Sequence, residues 1–208
     1  MVESDADLQL LAAWRGGDRS AGDLLMRRHY PAIRRFFQLR AAPVADDLTQ
    51  RTFLACTEGH ERVEVTLRAY LFGIARYMLL KHIEDGSHRE VAFDFDTPVA
   101  PSLFSPSRMV ALRQEHWLVL RALDNLEIET QQLLALFYVE ELQVREIAHV
   151  LGVSVTAVTT RLSRARQALR AQVETLPSPI DVRTNVLGDL ESWARSLAPV
   201  LTDLPSTT

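Results

Sequence analysis

Between Ala148 and Val173 the only charged side chains are arginines: Arg161, Arg164, Arg166 and Arg170. Around them stand Ser154, Thr156, Thr159, Thr160, Ser163 and Gln167. Guanidinium groups donate to phosphates and, in bidentate fashion, to guanine edges, while hydroxyl and amide groups address base edges in the major groove. An ordinary solvated helix mixes acids with bases, because opposite charges four residues apart stabilise it. This stretch holds no acid, although the whole chain is acidic, with a formal net charge of −4. Such a local concentration of cations and hydroxyls fits contact with a polyanion, and duplex DNA is the one whose groove admits a helix.

Helical geometry sorts the side chains further, at about 100° per residue. Val158, Leu162, Ala165 and Leu169 fall on one stripe, which belongs to a core. Thr156, Thr160, Ser163, Arg164 and Gln167 collect on the opposite face, with Thr159, Arg161 and Arg166 on the flanks. Just upstream, Ile147, Ala148 and Leu151 mark a short helix; Gly152 suits a turn needing positive φ, and Ser154 suits an N-cap. This is the pattern of a helix-turn-helix. About three or four phosphate contacts give a salt slope near −3 and a non-specific affinity of roughly 10⁻⁴ to 10⁻⁶ M. One such helix does not hold a site unaided; a second module or a large partner must supply the rest.

Other chemistries lack their residues. The six histidines are scattered without metal-ligand spacing, and the single cysteine, Cys56, allows neither an internal disulfide nor a zinc cluster. Phosphate-loop, dinucleotide, nucleophile-elbow and zinc-protease motifs are missing. The expectation is a non-enzyme with no catalytic residue, metal or cofactor. Acids near the start, "MVESDADLQL", do not make a signal peptide, and apolar runs fall short of the ~18 residues that span a bilayer. A cytoplasmic protein without membrane insertion is expected.

The elements that must position the arginines are helical throughout. Leu8, Leu11 and Trp14 repeat at helical spacing up to "RGGD". A segment from Asp18 to Arg40 places Leu24, Leu25, Ile33, Phe36 and Phe37 on an apolar face, with Pro31 expected to bend or break it. A third helix begins near Asp46 or Asp47 as N-cap and ends near Gly59, with Phe53 and Leu54 read as core. A fourth, "TLRAYLFGIARYMLLKHIED", is expected to stop at Gly86, with Leu71, Ile74 and Leu79 inside. Residues 87–107 hold three prolines and four serines and read as a linker in which Phe93, Phe95 and Phe104 can dock on a neighbour. A second helical block, 108–173, breaks at "LDNLEIET". Beyond "LPSPI", Val182, Val186, Leu190, Trp193 and Leu197 recur as one short amphipathic helix in a tail, 174–208. That stripe is too short to stand alone in water, so it must bury itself elsewhere. Regulation by this tail and simple extra packing weigh equally. The fold class is all-α: two small helical domains, a Pro/Ser-rich tether and a C-terminal amphipathic helix.

The stretch "ETQQLLALFYVEELQVREIAHVLGVSVTAVTTRLSRARQAL" resembles the sigma-4 domain of bacterial extracytoplasmic-function sigma factors, and "ADDLTQRTFLA" with "LRAYLFGIARYMLLKHI" resembles their sigma-2 domain. The likeness covers roughly residues 5–86 and 108–173, in family order. It implies a factor that binds core RNA polymerase, through the β′ clamp helices and the β flap, and directs it to promoter DNA. The sigma-4 face (Thr156, Thr159, Thr160, Arg161, Ser163, Arg164, Arg166, Gln167) would read the −35 element. Arg68, Arg76, Tyr77 and Lys81 would engage and melt the −10 element, with the His60–Thr66 loop as a base pocket. Asp46, Asp47 and Gln50 match polymerase-docking positions, and an anti-sigma factor is a candidate partner. The sequence departs from the family pattern at Tyr77, where Asn is common, at Lys81, where Asp is common, and at Glu84-Asp85, where basic residues are usual. Thr159 and Ser163 likewise replace larger side chains. Two rival readings are a stand-alone helix-turn-helix regulator that works without polymerase and a sigma-like decoy that sequesters a regulator.

Overall fold

The computed structural model describes residues 5–38, 40–90 and 113–202. Every regular element among them is helical, in two compact units. In the first, α1 (Asp5–Arg15) packs on α2 (Arg19–Gln38), and α2 and α3 (Ala45–Gly59) pack on each other and on α4 (Leu67–Glu90). The "RGGD" punctuation works as a complete stop and start. Gly17 takes φ +98°, Gly17 N–H donates to Trp14 O at 2.9 Å, and Asp18 N–H donates to Ala13 O at 3.0 Å, which closes α1 in a Schellman motif. The Asp18 carboxylate then accepts from the N–H of Ser20 (2.9 Å) and Ala21 (3.3 Å), satisfying donors at the start of α2. Asp7, almost buried on α1, pairs with Arg28 and lies 3.5 Å from His29 Nε2, which ties the two helices. Burial lowers the His29 pKa, against the opposing pull of the Asp7 carboxylate.

Several expectations change here for identifiable reasons. Pro31 neither breaks nor divides α2, which is assigned as one helix over Arg19–Gln38. Proline removes one backbone donor, and complete burial of Leu25, Ile33, Phe36 and Phe37 outweighs that loss. Leu24 is 53% exposed and Leu54 is 62% exposed, so neither belongs to the core. Each sits about 100° around its helix from a buried neighbour, Leu25 and Phe53. Leu8 is also exposed, whereas Leu11 and Trp14 are buried. The third helix is not capped by an aspartate. Val44 holds the N-cap position without a side-chain bond, after a 3₁₀ turn at Ala42–Val44, and Asp46 and Asp47 lie in the first turn, where the helix dipole favours them. Leu71 and Leu79 are interior as expected, while Ile74 is half-buried. Cys56 is buried, and burial pushes its thiol up to about 12, so it is a packing residue rather than a nucleophile.

The fourth helix continues through Gly86 to Glu90 and so takes the first residues of the expected linker. A glycine in a helix interior costs only about 1 kcal/mol relative to alanine, too little to stop a helix anchored by Leu67, Leu71, Phe72, Ala75 and Leu79. Phe93, Phe95 and Phe104 lie outside the described residues.

Along the chain after α4 come α5 (Gln114–Asp124), α6 (Ile128–Leu134), a π-helical segment Ala135–Val139, α7 (Val144–Leu151) and α8 (Val155–Thr175). Three more helices follow: α9 (Ile180–Gly188), α10 (Leu190–Arg195) and α11 (Leu197–Thr202). The break expected at "LDNLEIET" separates α5 from α6. The tail differs from the expected single helix. Asp189 leaves helical geometry (φ −147°, ψ 63°) and its carboxylate accepts from Ser192 N–H at 3.1 Å, so it caps a new helix and resets the chain. Of the expected stripe, Val182, Val186 and Leu197 are buried, while Leu190 and Trp193 are only half-buried; Ala194 and Leu201, outside that stripe, are buried as well. Helix α9 packs on α5 and α8, and α10 packs on α5 and the π segment. The tail is therefore part of the second unit, not a free appendix.

Candidate nucleic-acid interface

The turn between α7 and α8 is built from local chemistry. Gly152 adopts φ +65°, and Val153 N–H donates to Ala148 O at 3.0 Å, the long bond of a Schellman ending. Glu146, in the first turn of α7, accepts from Gln143 N–H at 2.8 Å, one half of a capping box. Ser154 Oγ accepts from Ala157 N–H at 3.2 Å and opens α8. Val158, Leu162, Ala165, Leu169 and Val173 are then buried as one stripe. That burial fixes the opposite face outward. Thr156, Thr159, Thr160, Arg161, Ser163, Arg164 and Gln167 are all exposed, and Arg161 and Arg164 have no ion-pair partner among the described residues.

Arg166 and Arg170 are held differently. Arg166 Nε donates to Tyr138 Oη at 2.6 Å and lies 3.4 Å from Glu191 Oε1, with its guanidinium over the Phe137 ring. Arg170 donates to Leu187 O at 3.2 and 3.3 Å and pairs with Glu174. Sequence reading did not find Tyr138, Glu191 or Leu187. They lie 17 to 28 positions from their arginines, and only tertiary packing brings them there.

In the first unit the candidate residues divide into three groups. Asp46, Asp47 and Gln50 are all exposed near the start of α3. Asp46 accepts from Arg34 Nε at 2.6 Å and Asp47 pairs with Arg51 at 3.0 Å, so each carboxylate is already oriented by a cation. Tyr77, 61% exposed, and Lys81 share one side of α4 and line a shallow groove with Leu80, Glu84 and Asp85. Arg68 does not join them. Nine residues separate it from Tyr77, about 180° around the helix, and its guanidinium lies over Phe72. Arg76 is half-buried, with its Nε lacking a hydrogen-bond partner.

The His60–Thr66 loop is fastened from both sides. Arg15 Nη2 donates to Val63 O at 2.7 Å and to Glu61 O at 3.4 Å, and the Trp14 ring stacks on His60 at 4.0 Å. Thr66 Oγ1 accepts from Ala69 N–H, and Tyr70 Oη donates to Gly59 O at 3.0 Å. No pattern in the loop itself points to α1 as its support.

A family model described as "Sigma-70, region 4" matches residues 116–169, the span from α5 through most of α8. The match extends well beyond that domain in individual relatives. The ECF RNA polymerase sigma factor SigM of Mycobacterium tuberculosis is 27% identical over 183 residues, covering 86% of this chain and 90% of its own. The RNA polymerase sigma factor CnrH of Cupriavidus metallidurans is 28% identical over 186 residues, with 84% and 97% covered. Over most of its length the chain is similar to extracytoplasmic-function sigma factors. A solved structure of CnrH in complex with the cytosolic domain of CnrY shares the fold, with a TM-score of 0.59 and 24% identity over 83% of this chain and 100% of that one.

In this chain the two faces of α8 make separable predictions. Arg164→Ala, on the outer face, is expected to cost about 1–3 kcal/mol at the preferred upstream sequence and to relax discrimination there. Arg161→Ala, on the flank, is expected to weaken all duplexes alike and to reduce the salt slope by about one. Titrations against matched and scrambled duplexes at several salt concentrations check both. Identical behaviour of the two variants would overturn the assignment of faces.

Proposed function

We propose that this chain is a sigma factor, loaded onto core RNA polymerase in the cytoplasm, and directs it to promoters. Its second unit reads the −35 element through α8, and its first unit engages and melts the −10 element. The observation that carries this reading is the outer face of α8: exposed, free of acids, and set outward by a fully buried stripe on a helix-turn-helix. In the first unit, Tyr77 and Lys81 offer a stacking ring beside a cation, the chemistry that holds an unpaired base and its phosphate. The clamped His60–Thr66 loop is the base pocket in this reading, with Arg76 beside it in role. Arg68, turned the other way over Phe72, supports the helix instead. Asp46, Asp47 and Gln50 form the polymerase-docking edge, through β′ clamp helices, with the β flap meeting the second unit. An anti-sigma factor is the candidate antagonist.

Run-off transcription with purified core polymerase tests this on a set of promoter templates. The expected result is initiation at particular promoters only when this chain is added, weakened by Asp47→Ala and Gln50→Ala. A chain that neither co-purifies with core polymerase nor supports initiation, yet binds an operator tightly alone, would be a stand-alone regulator.

A further inference from the structure

On α8, Arg161 and Arg166 lie on opposite flanks of the outer face, about 140° apart. A helix in a groove turns its flanks toward the two phosphate strands, so these are the positions from which arginines meet the backbone. Arg161 is exposed, with no ion-pair partner among the described residues. Arg166 instead faces the tail. Its Nε donates to Tyr138 Oη at 2.6 Å and stands 3.4 Å from Glu191 Oε1. Arg195, one turn further along α10, also reaches Glu191 at 3.4 Å and lies over the Tyr138 ring. Two cations thus converge on one carboxylate and one phenol.

This arrangement is held in place by packing independent of the pair. Val186, Ala194 and Leu197 are buried, Trp193 meets His116 edge-on, and His116 Nε2 lies 2.9 Å from Ser196 Oγ. One turn along α8, Arg170 is bonded to the Leu187 carbonyl. The carboxylate is therefore presented to Arg166 by a docked element, not by a passing side chain.

We propose that Glu191 is an affinity-setting residue of this sigma factor: its carboxylate occupies, on the Arg166 guanidinium, the place a DNA phosphate would take. The tail stays docked, and the DNA grip is tuned by competition between one internal anion and one external one. In the resting state the helix meets the backbone from the Arg161 flank, with the opposite flank neutralised. Both partners are about half exposed, with Arg166 at 38% and Glu191 at 47%, so the exchange needs no unfolding. The proposal rests on α8 meeting duplex DNA.

Salt dependence reads the exchange directly, since each phosphate contact adds about 0.9 to the slope of log affinity against log salt. The full chain is titrated onto a fluorescent duplex between 50 and 200 mM salt. Glu191→Gln is expected to steepen the slope by about 0.9, so that its affinity gain over wild type grows about 3.5-fold from 200 to 50 mM. Arg166→Ala alone is expected to leave the slope unchanged. Arg166→Ala combined with Glu191→Gln is expected to return it to the wild-type value, which separates Arg166 from the Arg195 that the same change releases. A slope unaffected by Glu191→Gln, or reduced by Arg166→Ala alone, would overturn the proposal. If Arg161→Ala also leaves the slope unchanged, the DNA reading of α8 fails instead.

Discussion

Replacing Leu197 with alanine is expected to destabilise the second unit by about 2–5 kcal/mol, the range for a large aliphatic side chain removed from a core. Leu197 sits beyond the helix-turn-helix, in what the sequence presents as an appendix, but it is completely buried. With Leu197, the tail contributes Val186 (0% exposed), Leu201 (1%) and Ala194 (3%) to the same unit. Truncation after Thr175 is expected to be worse than the point substitution, because it uncovers the faces of α5 and α8 on which α9 packs. Hydrogen exchange resolved along the chain checks this: protection should fall in α5 through α8 and hold in α1 through α4. Unchanged protection in α5 would show that the tail is dispensable packing. Deleting the tail is consequently a poor test of regulation, since loss of activity would report a loosened unit. A single exposed carboxylate, Glu191, is the cleaner handle.

The second large effect is expected in the first unit. Phe36→Ala should cost about 3–5 kcal/mol, as removal of a buried aromatic does. Phe36 is fully buried and meets Phe37 and Phe72 edge-on, each at 5.6 Å between centroids, so one side chain joins α2 to α4. Edge-to-face pairs add about 0.5–1.5 kcal/mol beyond their area. Native domains are stable by only about 5–15 kcal/mol, so the variant is expected to populate an opened first unit. Urea unfolding followed by the exchange of α2 and α4 amides measures it. A loss below about 1 kcal/mol would mean that the Phe36 site collapses onto its neighbours.

What could be read from sequence was what local forces decide. The buried stripe of α8, the positive φ at Gly152 and the Ser154 cap follow from periodicity and backbone sterics within a few residues. The outward face with Arg161 and Arg164 followed as the complement of that stripe. Non-local forces decided the rest. Leu24 and Leu54 have the right residue type but point one helical step away from the packed face. Gly86 looked like a stop, yet the packing of α4 carries the helix past it. The tail showed its apolar spacing but not its fold, because Asp189 restarts the helix, after which Ala194, Leu197 and Leu201 are buried while Leu190 and Trp193 are half-buried. The partners of Arg166, Tyr138 and Glu191, were hidden because they come from other helices. The support of the His60–Thr66 loop by Trp14 and Arg15 was hidden for the same reason.

The hydroxyls of α8 carry one more consequence. Thr159 Oγ1 donates to Val155 O at 3.1 Å and Thr160 Oγ1 donates to Thr156 O at 3.0 Å. Their protons are engaged inside the helix, so each threonine faces outward with lone pairs and a methyl group only. Such a side chain matches the exocyclic amino groups of adenine and cytosine, or the methyl of thymine, and has nothing to give the acceptors of guanine. Arg164 is its opposite, a donor alone. The helix's own hydrogen bonds thereby divide its surface into letters that give and letters that receive, and a base pair is legible only where it supplies the complement.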